Sequence, residues 1–273
     1  MGYKQYLKRN LPSLFYCLKY INHILNIDQG RGKIVFLKDL IKYRSAIKNK
    51  QVYYGPLFYA GDVDSVKRQV MEQFIKREVK ENFKLIEIGS WQGASAILWG
   101  NACKKRGVVF CVEHFDIWES MPKKYWVFLE SRKSRELFFH NIKSAGLKNT
   151  VLPLIGKSEI IIPILKQGYF DVVYIDGDHA YESCLKDIQN SIPLLKDGGV
   201  ICGDDLNMQL NEVEYEITWA NRDIDGTIID TKSSHAYHPG VTLAVNKIFG
   251  PVSVKNTFWA MRKTGNTWEK IQL

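Results

Sequence analysis

Apolar residues in this chain fall into short unbroken runs separated by stretches of helical spacing. Val172 to Ile175 and Gly199 to Cys202 are two such runs, too short for buried helices and suited to strands covered on both faces. Between them Leu185, Ile188, Ile192 and Leu195 recur at helical spacing, Pro193 falls near the end, and Gly198-Gly199 closes the segment. Strand, crossover helix and strand make a βαβ unit, whose two strands are parallel with their carboxyl ends side by side. A second unit lies upstream. Leu85 to Ile88 reads as a strand, Gly89 to Gly93 as a tight loop, Ala94 to Cys103 as a helix, and Val108 to Val112 as the next strand, ending at Glu113. Val151 to Ile155 has the pattern of a third strand. Before these, Asp64 is placed to cap a helix from Ser65 to about Glu81, with Val66, Val70 and Phe74 as its packing stripe and Val63 just ahead.

Ligands of open α/β sheets bind outside the carboxyl ends of the strands. The pattern puts Asp176, Asp178, Asp204 and Asp205 along that edge, where four carboxylates repel one another and need a cation or a set of donors. A structural reading is available for each: Asp178 can cap the helix that follows, and Asp204 or Asp205 can start a surface turn. Clustering on two neighbouring strands favours a site. In the upstream unit, Gly89 and Gly93 let the backbone turn sharply and bring a ligand close to the next helix terminus. Glu113, at the tip of its strand, suits the two hydroxyls of a ribose, and Glu87 precedes the loop. The dinucleotide fingerprint is absent, because Trp91 stands where a second glycine would admit a pyrophosphate, which argues against NAD.

These residues resemble a known group. EIGSWQGASAI is similar to the first motif of class I S-adenosylmethionine-dependent methyltransferases, and YIDGDHAYE followed by LLKDGGVICGDD resembles the small-molecule and sugar O-methyltransferase branch. The likeness runs from about Lys84 to the C-terminus, where HPGVTLAVNKIFG and TFWAMRKTGNTWEKI look like that branch's last helix and antiparallel strand pair. The resemblance implies that Gly89, Ser90 and Gly93 line the methionine part of the cofactor, that Glu87 sits beneath the loop, and that Glu113 holds the ribose. Gly156, Lys157 and Ser158 follow the third strand, where relatives contact adenine or ribose. In metal-dependent relatives one acid after the fourth strand and a pair after the fifth bind a divalent cation, which matches Asp176, Asp204 and Asp205. Asp178 or His179 is then the candidate general base; a histidine at a helix start is equally often a structural hydrogen-bonder. His235 and His238 are read as substrate-loop residues or solvated positions.

The resulting expectation is a doubly wound, Rossmann-like α/β fold. Its sheet has seven strands, mainly parallel, with an antiparallel C-terminal hairpin of Phe258 to Lys263 and Trp268 to Gln272 turning at Thr264-Gly265-Asn266. Residues 81–273 form the methyltransferase domain, and residues 1–80 a basic, largely helical extension with an aromatic loop. Methyl transfer from a sulfonium is an in-line displacement, so the protein must align the acceptor and remove its proton. A cation on a sugar hydroxyl lowers its pKa, and an all-carboxylate set fits Mg²⁺ better than Zn²⁺. The expected cofactors are therefore S-adenosylmethionine and Mg²⁺, and the expected acceptor is a hydroxyl of a glycan, sugar or other small polar metabolite. Metal-independent transfer to another acceptor atom, and a non-catalytic scaffold in a glycan-assembly complex, stay open.

Charge changes the picture at one end only. Residues 1–50 hold 11 Lys/Arg against 2 Asp/Glu, an excess equal to the +9 of the whole chain. The catalytic half is neutral, which argues against nucleic acid as a partner. Leu11 to Leu25 is apolar but interrupted by Lys19 and His23, too short to span a bilayer, and without a convincing cleavage site after it. It reads as a helix packed on the core or on a partner subunit, with a homo-oligomer left open, or as a basic anchor on the inner face of an anionic membrane. Tyr53, Tyr54, Phe58 and Tyr59 either cover a ligand or pack in the core, and Met121 to His140 covers substrate or lies on the sheet. The five cysteines, Cys17, Cys103, Cys111, Cys184 and Cys202, are scattered and lack a C-x-x-C pair, as expected of a reduced, cytoplasmic compartment.

Overall fold

The computed structural model describes residues 41–53, 65–115 and 131–273. Asp64, Tyr54, Phe58, Tyr59 and the basic segment from Leu11 to Leu25 lie outside the described residues. Residues 41–48 are helical and pack through Tyr43 and Ala46 beside Tyr53 and Leu137.

Helix α1 (Ser65–Glu78) leads into strand β1 (Phe83–Ile88), helix α2 (Ala94–Cys103) and strand β2 (Gly107–Glu113). Helix α3 (Ser131–Ser144), strand β3 (Val151–Ile155), the short helix α4 (Ser158–Ile161) and strand β4 (Phe170–Ile175) follow. Helix α5 (Tyr181–Ser191), strand β5 (Leu195–Gly203) and helix α6 (Tyr215–Ala220) come next, with a two-stranded ribbon of β6 (Ile228–Ile229) and β7 (Ala236–Tyr237) beyond them. Helix α7 (Pro239–Phe249) and strands β8 (Ser253–Lys255), β9 (Phe258–Thr264) and β10 (Thr267–Lys270) close the chain.

The main sheet runs β10-β9-β5-β4-β1-β2-β3. The five strands from β3 to β5 are parallel, and β9 joins β5 antiparallel, so the doubly wound expectation holds. Each central strand feeds two cores because its side chains alternate. Leu85, Val172, Tyr174, Val200 and Cys202 meet α1, α2 and α3 on one face; Ile86, Ile88, Val173, Ile175 and Ile201 meet α5 and α7 on the other. Strand order reverses between β1 and its neighbours β2 and β4, which opens a crevice at their carboxyl ends.

Four details differ from the pattern reading. Among the described residues the sheet has eight strands instead of seven, because β8 pairs with β9 along the same edge as β10. Three residues are too few to show a period. Gly198-Gly199 does not end the crossover helix: it lies inside β5, where the ladder passes from Phe170↔Leu195 to Val172↔Val200 and the residues between bulge out. Helix α1 stops at Glu78, short of Glu81. Its stripe is Val70, Met71, Phe74 and Ile75, all buried, while Val66 is 48% exposed, since the apolar face drifts one position along a 3.6-residue period.

Candidate active site

One cavity of about 610 Å³ opens at the carboxyl ends of β1, β2, β4 and β5 and gathers both sets of residues singled out in the sequence. It is lined by Gly89, Ser90, Glu113, Lys157 and Ser158 at one end and by Asp176, Asp178, His179, Asp204 and Asp205 at the other. Glu87 lies fully buried beneath the loop, and Gly93 is the left-handed residue from which α2 starts.

The loop after β1 is shaped by backbone constraints. Gly89 has φ +84°, and a Cβ there would sit 2.0 Å from the Asp176 carbonyl oxygen, so only glycine lets β1 and β4 end in contact. Trp91 takes φ +41° and donates its backbone N–H to Glu113 Oε2 at 2.6 Å, tying the loop to the tip of β2. Burial pushes the Glu113 carboxyl up, partly offset by the Trp91, Ser90 and His114 backbone N–H groups. Glu87 is pushed to about 7 by burial, against the hydroxyls of Ser90 and Ser95 and the Cys111 thiol, with Glu113 adding a like charge. Asn141, on α3, braces the loop from behind: its amide donates to Gln92 O at 3.0 Å and to Tyr53 O at 3.2 Å. Tyr53 is accordingly a core contact, edge-on to Tyr43, and outside the cavity lining.

At the other end Asp176, Asp204 and Asp205 each offer an oxygen, and the three lie within 4.8 Å of one another. Asp204 is held hard. Its Oδ1 accepts from Thr257 Oγ1 at 2.6 Å and from the Asp205 N–H at 2.7 Å, while Lys67 of α1 pairs with its Oδ2. Tyr174 donates its hydroxyl to Asp176 at 3.0 Å. Burial drives the Asp176 carboxyl well up, reinforced by Asp204 and Asp205 and offset by Lys67 and His179. Asp205 goes down instead, because the hydrogen bond and charge of His179, with His238 and Lys67, overcome its burial. Three carboxylate oxygens gathered in this way are the donor type that a hard, oxygen-ligated divalent cation takes.

His179 sits between two carboxylates, Nε2 at 2.8 Å from Asp205 and Nδ1 at 2.8 Å from Asp225. Burial opposes its charge but both acids outweigh it, so the imidazole is held protonated above its ordinary range. The His238 ring packs against it with centroids 4.6 Å apart and faces the cavity, whereas His235 is exposed and away from it. Burial and the neighbouring imidazolium lower His238 despite the surrounding carboxylates. Helix α7 can approach because Gly240 lies against the chain, where a Cβ would be 2.2 Å from the His179 carbonyl oxygen. Asp178 is exposed and accepts the Ala180 N–H at 2.9 Å, the turn-forming role that the sequence allowed for it.

The sequence reading did not include Lys67, Asp225, Thr257 or Asp187. Lys67 and Thr257 come from elements distant in the chain, with no local signal. Asp187 has one: it is an acid on the inward stripe of α5, buried, and pushed to about 6 by burial against the Ser158 hydroxyl.

A Methyltransferase domain family matches residues 86–206, which span the ends of β1, β2, β4 and β5 and every acid just described except Asp225. Residues 86–206 carry a methyltransferase domain. No similar protein was found among curated sequences. Among solved structures, a putative O-methyltransferase from Klebsiella pneumoniae is similar to this chain at 15% identity and a TM-score of 0.50, over 76% of this chain and 83% of that one. TomG, an O-methyltransferase of tomaymycin synthesis from Streptomyces achromogenes in complex with SAM, aligns at 17% identity over 73% and 80% of the two chains, with a TM-score of 0.48. The O-methyltransferase from Bacillus cereus in complex with SAH aligns at 18% identity over 89% and 81%, with a TM-score of 0.46. At 15% identity the likeness to the Klebsiella structure is one of fold.

Proposed function

We propose that this methyltransferase uses S-adenosylmethionine to methylate a hydroxyl of a sugar or another small polar metabolite, with a divalent cation at Asp176, Asp204 and Asp205. The observation that carries the reading is the meeting of the Gly89 loop and Glu113 with three carboxylates and His179 in one cavity. When bound, S-adenosylmethionine supplies an electrophilic methyl group, and the cation lowers the pKa of the acceptor oxygen. The chain's own groups do the rest. Glu113, anchored by the Trp91 N–H, presents its remaining oxygen to ribose hydroxyls, while Gly89 brings the backbone close to the amino-acid end. Of the two candidates for the base, Asp178 spends its carboxylate on a turn, and His179, paired through both ring nitrogens with Asp205 and Asp225, can take a proton from the acceptor only after losing its own. Tyr174 and Thr257 hold the carboxylates in place.

Product formation from labelled S-adenosylmethionine, measured over a panel of sugar and phenolic acceptors, tests this. Turnover falls at least about a hundredfold after chelation and returns with Mg²⁺, while calorimetric affinity for the cofactor stays within about twofold. Turnover untouched by chelation removes the cation, and a protein that does not bind the cofactor removes the whole reading.

A further inference from the structure

The acid cluster already contains a cation supplied by the chain. Lys67 Nζ pairs with Asp204 Oδ2, and its charge also acts on Asp176 and Asp205. Of the two Asp204 oxygens, Oδ1 is taken by Thr257 and by the Asp205 N–H, so Oδ2 is the one left to face a ligand, and Lys67 holds it. The position is otherwise unfavourable. Lys67 stands in the first turn of α1, where the helix dipole opposes a positive charge and no acidic residue of that turn offsets it. Its side chain is only 20% exposed and lines the cavity, so this is not a solvated surface pair. The three carboxylates supply the compensation that the helix terminus does not.

The geometry points to Lys67 as the resident counter-ion of the cluster, which a divalent cation must displace from Asp204 in order to bind. This rests on reading Asp176, Asp204 and Asp205 as the metal ligands. Loading of metal is thereby linked to release of the first turn of α1, and Lys67 weakens the site, holding it empty until the cation concentration is high enough to compete.

Two measurements on the full chain, freed of metal by chelation, test the displacement. Mn²⁺ is titrated and its free concentration read by electron paramagnetic resonance. Lys67→Met binds Mn²⁺ at least about tenfold more tightly than the parent, and Lys67→Arg, which keeps the charge, stays within about threefold of it. Lys67→Gln serves if the methionine variant does not fold. In parallel, acetylation of Lys67 followed by mass spectrometry rises several-fold when Mn²⁺ is added to the parent protein. Equal Mn²⁺ affinity in parent and Lys67→Met overturns the proposal while leaving the ligand assignment standing, as does unchanged labelling of Lys67 on metal binding. Absence of Mn²⁺ binding from every form, in protein that still binds S-adenosylmethionine, shows instead that the metal reading itself has failed.

Discussion

Glu87 shows how a single buried side chain ties the site to pH. Its carboxyl titrates at about 7 in the fold against 4.5 in a solvated chain, with desolvation as the main cause. Below about 4.5 both states are protonated and the residue contributes nothing to pH dependence. As pH rises to about 7 the unfolded chain loses its proton while the folded one keeps it, so native stability falls through this window and levels off above it. A glutamine has no proton to lose. Chemical denaturation across this range will show Glu87→Gln gaining on the parent by on the order of 3 kcal/mol. A constant difference between the two proteins would mean that Glu87 is not desolvated. The sequence could point to Glu87, because an acid inside an apolar strand is conspicuous. It could not show how deep the residue lies, since burial depends on α2 and on the side chains of Ser90, Ser95 and Cys111 around it.

At the scale of elements, α1 carries more than its packing suggests. Phe74 has no exposed surface and fits between Trp99 and Phe258, with ring centroids at 6.5 and 5.3 Å, and Glu78 pairs with Arg262 of β9 at 2.7 Å. These contacts fix the helix whose first turn reaches the acid cluster. Phe74→Ala leaves a large void and is expected to cost about 3–5 kcal/mol in urea unfolding. A loss below about 1 kcal/mol would show that α1 is not docked as described. The strands and crossover helices were legible in the sequence because each buries a complete period: Ala94–Cys103 was read with its full bounds, and Phe258–Thr264 with Thr267–Lys270 to within two residues at either end. β8 and the bulge in β5 were not. The first is shorter than one repeat of the pattern, and the second is a matter of pairing, which sequence periodicity does not encode.

For the molecule as a whole, the two cores on either face of the sheet account for the four cysteines among the described residues. Cys103, Cys111, Cys184 and Cys202 are free and buried, and burial pushes the Cys103 thiol up to about 12, with Asp171 adding to it. In a Cys17→Ser protein, Ellman's reagent should find no rapidly reacting thiol at mildly alkaline pH and all four of the others after unfolding. A fast stoichiometric reaction in the native state would place one of them at the surface. No helix among the described residues is long and apolar enough to cross a membrane. The meeting of Glu113 with the acid triad could be anticipated from topology, because parallel strands bring their ends together whatever their loops contain. The pairing of His179 could not, because it turns on Asp225, forty-six residues further along.

The contact between Gly89 and the Asp176 carbonyl has a mechanical consequence. Backbone touches backbone there, so the spacing between the Gly89 loop and the acidic end of the pocket is welded by the main chain, provided position 89 carries no side chain. Substitutions around the rim can retune which acceptor is admitted. On the proposed reading, the gap that the methyl group crosses is a property of the scaffold.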